Sequence, residues 1–226
     1  MQTIILAAGR GSRLGKDTPK ALLEIAKDTT ILDTQLRNLA TISSIEALVV
    51  VVGFRSELIT KKYSDLSYVY NDRYDRTNTA ASLLLALEKT NEDDTLWLNG
   101  DVVFDGDILR LIQNNPDNNL IFVKRGSCGA EEIKYSVDRR GAVLNISKTV
   151  CNGLGEAVGI NFIKKQDLPT FTACLAECTP ADFFERAIEL AIELGVSFLP
   201  VDIGDAFCVE IDFEEDLHKV KEHFSE

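Results

Sequence analysis

An apolar run, Ile4-Ile5-Leu6-Ala7-Ala8, empties into Gly9-Arg10-Gly11-Ser12-Arg13-Leu14, with Pro19-Lys20 a few residues beyond. Its length and unbroken apolar character suit a strand buried on both faces, which commits the chain at its first element to a sheet covered above and below. The loop that follows combines glycines, which let backbone N–H groups approach phosphate oxygens, with the cations Arg10, Arg13, Lys16 and Lys20. Such a loop suits a triphosphate. Two better-known phosphate loops fail residue by residue. A dinucleotide turn needs glycine where Leu14 stands. A Walker A loop ending at Gly15-Lys16 needs glycine at Arg10 and Ser or Thr at Asp17.

The chain has 226 residues, 45% of them hydrophobic, enough for one enzyme-sized domain with a core that needs no staples. Its formal net charge of −12 argues against nucleic acid, whose binding needs a basic face. The basic cluster around Gly11 runs against that overall sign and would focus anions there. Five cysteines, with no Cys-x-x-Cys pair, predict neither a disulfide framework nor a zinc ribbon. Cys174 and Cys178 are four apart and could share a helix face, as reduced packing residues. The opening MQTIILAAG lacks a basic leader, and no segment approaches membrane-spanning length. A reducing, cytoplasmic setting without membrane insertion is the expectation.

Along the chain, strand-like runs at Thr3–Ala8, Ala47–Val52, Ser67–Tyr70 and Thr95–Leu98 alternate with helical spacing at Ile31–Leu39, Ser56–Tyr63 and Thr79–Glu88. This rhythm predicts an α/β fold, a single-domain, Rossmann-like sheet, mixed but mainly parallel, with helices on both faces. The later part is less regular. Helices are expected at Asp107–Gln113, Ala181–Leu194 and Glu214–Phe224. Strands are expected at Leu120–Lys124, Ala157–Ile163, Val196–Pro200 and Phe207–Ile211, with a hairpin of Lys134–Val137 and Ala142–Ile146 about Arg139-Arg140-Gly141. Residues 1–226 are thus one domain, with a regular first half over about 1–124 and a less regular second half over about 125–226; the resemblance described below implies that the first binds nucleotide and the second an acceptor, with an insertion of roughly 125–180 expected to cover the site.

Ligands of such sheets sit at the carboxyl ends of the strands, where Gly9 and Asp101 both fall. Asn99-Gly100-Asp101 follows one strand, and Glu210-Ile211-Asp212 ends another before a helix. Position alone leaves two readings for Asp101 and Asp212. They could hold one magnesium ion against a triphosphate, since magnesium uses one or two carboxylates plus phosphates. Or each could cap the helix that follows.

Leu6-Ala7-Ala8-Gly9-x-Gly11-x-Arg13 with Pro19-Lys20 resembles the signature of the sugar-nucleotidyltransferase superfamily. Val51–Ile59, Asn71–Tyr74 with Asn78–Leu83, and Glu210–Leu217 narrow the likeness, over nearly the whole chain apart from a divergent middle, to the phosphocholine cytidylyltransferase group. That group also includes enzymes activating other small phosphates or phosphonates. The resemblance implies a nucleotide-diphospho-sugar transferase type of fold and Mg²⁺ on Asp101 and Asp212, with Arg13 and Lys20 as the catalytic cations. It further implies a nucleotide site made of Leu6, Ala7, Ala8, Gly9, Arg10, Gly11, Ser12, Asn78, Ala81 and Ser82.

The implied reaction joins CTP to a phosphocholine-like or 2-aminoethylphosphonate-like acceptor and releases pyrophosphate. An enzyme transferring UMP, dTMP or GMP to a sugar 1-phosphate or another acceptor is the alternative, and a non-catalytic nucleotide sensor a second; a homodimer is compatible with each. A quaternary ammonium is held by aromatic faces and carboxylates. Tyr135, Phe162, Phe171, Phe183 and Phe184, with Glu131, Glu132, Glu156, Asp182 and Glu185, are the middle-region residues of those types. Alternation or helical spacing also assigns each aromatic to the core. Glu156 resembles an acidic substrate-side position of the group, and Glu156, Tyr135 and Asp182 are the acceptor residues expected.

Overall fold

The computed structural model describes residues 1–15, 17–42, 47–90 and 93–225, without the Ser12 side chain; Lys16 lies outside the described residues. In chain order the first half contains β1 (Gln2–Ala7), β2 (Glu24–Ala26), β3 (Thr29–Thr30), α1 (Ile31–Leu39), β4 (Leu48–Val52), α2 (Ser56–Lys62), β5 (Ser67–Tyr70), α3 (Thr79–Leu87), β6 (Thr95–Asn99) and β7 (Val102–Phe104). The second half contains α4 (Arg110–Asn114), β8 (Asn119–Arg125), β9 (Lys134–Val137), β10 (Val143–Ser147), β11 (Gly155–Ile163), α5 (Leu168–Glu177), α6 (Phe184–Glu193), β12 (Phe198–Asp202), β13 (Cys208–Glu210) and α7 (Glu214–His223).

Every residue of β1 is buried, and it runs parallel to β4 on one side and to β6 on the other. Among the described residues nine strands form the central sheet, in the order β10-β9-β11-β6-β1-β4-β5, with β8 paired to β11 and β12 to β8. Strands β1, β4, β5 and β6 are parallel, whereas β11 runs antiparallel to β6, β8 and β9. Strand alternation divides the core between the two faces. Ile4, Leu6 and Trp97 pack with α3, α5 and α6, while Ile5, Ala7 and Leu98 pack with α1, α2 and α4. A third cluster joins Val103 and Ile211 to Leu217 and Val220 of α7.

The predicted α/β architecture with helices on both faces is the one observed. Three local readings change. The helix expected from Ala181 begins at Phe184, because Asp182 is engaged in a turn, accepting from the backbone N–H and hydroxyl of Thr179. Helix α5 was not read from the sequence; it packs on α3 and α6 in the core, so what faces the cleft from the expected 125–180 cover is confined to residues up to Gly159. Cys174 is buried in that helix and Cys178 follows its last turn, both as free thiols.

Trp97 is the largest fully buried side chain, stacked on Phe171 at 5.1 Å and edge-on to Phe184 at 5.8 Å. Removing an aromatic side chain from such a site forfeits its transfer free energy and leaves a void. Trp97→Ala is expected to destabilise the protein by about 3–5 kcal/mol, measured by urea unfolding.

Candidate active site

The ends of β1, β4 and β6 are drawn together by backbone bonds. The Leu6 carbonyl accepts from Gly100 N–H at 2.9 Å, and the Ala8 carbonyl accepts from Phe54 N–H at 3.0 Å. Beyond them Gly11 adopts φ +60°, and a Cβ there would lie 2.6 Å from Cγ of Lys20. Glycine at this point therefore supplies the backbone turn and the passage for the lysine. Lys20 sits at the start of a short 3-10 turn, Lys20–Leu22, entered through Pro19. From the opposite face, Gln35 of α1 donates to the carbonyls of Asn99 at 2.9 Å and Val102 at 2.8 Å, fixing the β6–β7 turn that carries Asp101.

The far end of the chain arrives through the antiparallel pairing of β13 with β7, in which Glu210 faces Val102. Ile211 N–H then donates to the Asp101 carbonyl at 3.0 Å. Asp212 is thereby placed beside residues 192 positions away: Lys20 Nζ donates to Asp212 Oδ1 at 2.6 Å and to Asp101 Oδ2 at 2.8 Å. Arg13 donates to Asp212 Oδ2 at 2.6 Å. Burial would lower the Lys20 pKa, but the two carboxylates outweigh it and the net shift is upward. Glu210 moves well above the ordinary carboxylate range, through lost hydration first and then repulsion from Asp101 and Asp212.

Asp101, Glu210 and Asp212 each bring a carboxylate oxygen within 4.8 Å of the others. An all-oxygen donor set of this kind fits a hard divalent cation such as magnesium. The capping alternative fails on geometry. Asp216 caps α7, accepting from the N–H groups of Asp212 and Phe213, and Asp101 leads into strand β7 rather than a helix. Sequence reasoning had quoted Glu210 only within a motif and missed its place in this cluster.

These groups line a cleft of about 680 Å³, with Leu6, Ala7, Gly9, Gly11, Asn78 and Asn99. Its wall also includes Lys124, Glu131, Glu132, Lys148, Glu156, Phe183, Phe184 and Glu185, and Arg13 reaches Glu131 at 3.5 Å. Thr79 Oγ1 accepts from Phe184 N–H at 3.1 Å, tying the start of α6 to the start of α3 and aligning Phe183–Glu185 along the cleft. Glu156 pairs in register with Lys124, and burial followed by the nearby Glu132 raises its pKa. Glu185 is 7% exposed and is pushed up to about 7 by burial first, with Glu189 adding to the shift and a backbone N–H and Lys148 opposing it.

Several expected residues lie elsewhere. Tyr135 is 1% exposed in the core, its hydroxyl toward Arg125, because the alternation of β9 turns it away from the cleft. Asp182 is spent on the Thr179 turn. Ser82 is buried and accepts from Asn71, its neighbour Ala81 is absent from the cleft wall, and Ala8 is buried beneath Phe54. Arg10 points out over the Phe54 ring, 5.7 Å from its centre. The Ser12 side chain lies outside what the structure describes. Arg13, Lys20, Asp101, Asp212, Leu6, Ala7, Gly9, Gly11, Asn78 and Glu156 all line the cleft.

A family model described as the MobA-like NTP transferase domain matches residues 3–177. The chain is 31% identical to choline-phosphate cytidylyltransferase of Haemophilus influenzae, over 79% of this chain and 76% of that protein. It is 26% identical to a UTP–glucose-1-phosphate uridylyltransferase of Haloferax volcanii, over 100% of this chain and 97% of that one. The solved CTP:phosphocholine cytidylyltransferase of Streptococcus pneumoniae has the same fold, with a TM-score of 0.81, 20% identity, and coverage of 99% of this chain and 98% of its own.

The raised Glu185 pKa makes a stability prediction. The native state keeps a proton that the unfolded chain releases near the ordinary value of 4.5, so stability falls as pH rises from about 4.5 to about 7 and is level above. Glu185→Gln abolishes this dependence. Its stability relative to the parent is expected to improve by about 3 kcal/mol between pH 4.5 and pH 8, read from urea unfolding of both proteins at the two pH values.

Proposed function

The chain belongs to the MobA-like NTP transferase family, and we propose that within it this protein is a magnesium-dependent cytidylyltransferase, joining CTP to a small phosphate- or phosphonate-bearing acceptor and releasing pyrophosphate. The observation that carries nucleotidyl transfer is the Lys20 ammonium held between Asp101 and Asp212 beside the Gly9–Gly11 loop. The choice of CTP draws support from the Haemophilus relative, which aligns over most of both chains. Uridylyl transfer to a sugar 1-phosphate is the second reading, favoured by the full-length match to the Haloferax enzyme. A non-catalytic sensor is disfavoured by the intact set of Arg13, Lys20, Asp101 and Asp212.

In this reading residues of about 1–124 bind the nucleotide, and those of about 125–226 bind the acceptor and return Asp212 to the first half. Leu6, Ala7 and Gly9 present backbone to base and ribose, Gly11 faces the phosphates, and Asn78 borders the nucleotide. Asp101 and Asp212, with Glu210 as a third oxygen donor, hold the magnesium, which when bound neutralises phosphate charge and orients the triphosphate. An ionised oxygen of the acceptor attacks the α-phosphorus in line. The new P–O bond forms as the bond to the bridging oxygen of pyrophosphate breaks, and that oxygen leaves with the electron pair. The nucleophile carries no proton, so no base is required. Lys20 and Arg13 bind and orient the phosphates and meet the charge that shifts toward the leaving group.

CTP is expected to be used at least about tenfold more efficiently than UTP, GTP or ATP, in a pyrophosphate-release assay across the four triphosphates; equal or better use of UTP would transfer the assignment to the second reading.

Lys20→Ala should lower turnover about a hundredfold or more while the far-UV dichroism is kept. Asp101→Ala and Asp212→Ala should each remove most activity, with the double variant little worse than either, because parts of one site do not act additively. Active variants whose losses add would refute the shared site.

A further inference from the structure

Among the described residues β7 and β13 form a two-stranded sheet of their own, three residues a strand. A ribbon this short has little stability by itself, yet its pairing sets Glu210 and Asp212 against Asp101. Alternate backbone groups of β7 and its flanks serve two edges. On the β13 side the Asp101 carbonyl accepts from Ile211 N–H at 3.0 Å, and Asp105 N–H donates to the Phe207 carbonyl at 2.9 Å. The carbonyls of Val102 and Phe104 face α1 instead. There Gln35 Nε2 donates to the first at 2.8 Å and Asn38 Nδ2 to the second at 2.7 Å.

Helix α1 therefore takes the place of a third strand, with two side-chain amides, three residues apart on one helix face, doing what backbone N–H groups do in a sheet. Gln35 is fully buried, and both hydrogens of its amide are engaged, the second by the Asn99 carbonyl at 2.9 Å. The carbonyls of Asn99 and Val102 bracket Gly100-Asp101, so one side chain holds the corner on either side of the carboxylate. The helix itself is fixed. Thr30 and Asp33 cap its start, Leu32 and Leu39 pack with Ile5 and Leu98, and Ile31 packs with Val103 and Ile211. An apolar side chain at position 35 would fill the same space but leave two buried carbonyls unmet, at the turn that presents Asp101.

We propose that Gln35, assisted by Asn38, is a positioning residue of the metal site: from behind the β6–β7 corner, α1 sets the placement of Asp101 relative to Asp212 and Glu210 on which divalent-cation binding depends. Neither amide lines the cleft, so the effect runs through the backbone to Asp101. The inference rests on reading the three carboxylates as a magnesium site beside a triphosphate.

The test is calorimetric and needs no turnover. CTP binding is measured in excess magnesium and in excess EDTA, without acceptor, and the ratio of the two affinities gives the contribution of the metal. Complexation of magnesium by CTP in solution is common to all variants and cancels between them. Gln35→Met keeps the length of the side chain and donates nothing. It should cut the magnesium contribution at least about tenfold, the scale on which partners of metal ligands act, with CTP affinity in EDTA little changed because the glycine loop and Lys20 are untouched. Asn38→Leu, at a half-buried position one residue pair further from Asp101, should show a smaller loss in the same direction, and it carries the test if Gln35→Met does not fold. Phe171→Leu, in the core on the opposite face of the sheet, is the control: it should lower stability in urea and keep the magnesium contribution.

An unchanged magnesium contribution in Gln35→Met, or in Asn38→Leu where that variant carries the test, overturns the proposal and leaves the metal site standing. A loss in Phe171→Leu as large as in Gln35→Met also overturns it, since general loosening would then explain both. A parent protein whose binding of CTP and of UTP is indifferent to magnesium overturns the proposal and the metal reading together. Magnesium-dependent binding of UTP in place of CTP moves the choice of base alone, and the same comparison is then made with UTP.

Discussion

Lys20, held between Asp101 and Asp212, is the contact on which the rest of the site depends. Three carboxylates converge where β6 ends and β13 hands over to α7, and at such separations like charges repel by kilocalories unless a cation stands among them. One lysine ammonium answers Asp101 and Asp212, and one guanidinium answers Asp212 a second time. Because Lys20 is largely enclosed, the pairing is screened less than a surface ion pair would be, and it is strong enough to overcome the penalty of burying the ammonium. It also ties the first loop of the chain to its last strand, closing a chain order that the central sheet alone leaves open.

That closure needs a rigid frame, and the frame is built of backbone bonds. The carbonyls at the end of β1 hold the turns after β4 and β6, Gln35 holds the β6–β7 turn from behind, and the β7–β13 pairing fixes the register that sets Glu210 and Asp212 against Asp101. The long strand β11 shifts its pairing with β8 between Ala157 and Asn161, where Gly159 has φ +72° and a Cβ would lie 2.9 Å from the Asn99 amide. This bulge turns β11 alongside the cleft while keeping its outer half in the sheet.

The parallel core and its glycine loop were legible in the sequence because both follow local rules: an unbroken apolar run for a doubly covered strand, and glycines and cations together for phosphate. Arg13, Lys20, Asp101 and Asp212 were readable as candidates for the same reason. What stayed hidden depends on tertiary context. Tyr135 and Asp182 have the side chains an ammonium site calls for, but strand alternation turns one into the core and a Thr179 turn consumes the other. Glu185 was one of five candidate carboxylates of the middle region, with nothing local to single it out, and Gln35 read as an ordinary polar residue of an amphipathic helix. Only packing shows that the first is buried beside the cleft and that the second supports the turn carrying Asp101.

The walls of the cleft differ in how they are made, and on the proposed reading that difference has a chemical consequence. Arg13, Lys20, Asp101 and Asp212 stand on strand ends and tight turns anchored in the sheet, which gives the fixed geometry that in-line displacement demands. The wall proposed for the acceptor is assembled from the β8–β9 connection, the segment after β10, and the start of α6, which is tied to the start of α3 by the Thr79 hydroxyl and by backbone bonds from Asn78 and Ala80. A change of side chain there can alter which cation or hydroxyl is accepted without moving Lys20 or the carboxylates. A scaffold divided in this way keeps one reaction while its acceptor varies. It is consistent with a chain that aligns both with a choline-phosphate enzyme and with a glucose-1-phosphate enzyme. On that reading the identity of the acceptor is to be sought in the wall formed by Glu131, Glu132, Lys148, Glu156 and the start of α6 rather than in the glycine loop, which would serve either chemistry equally well.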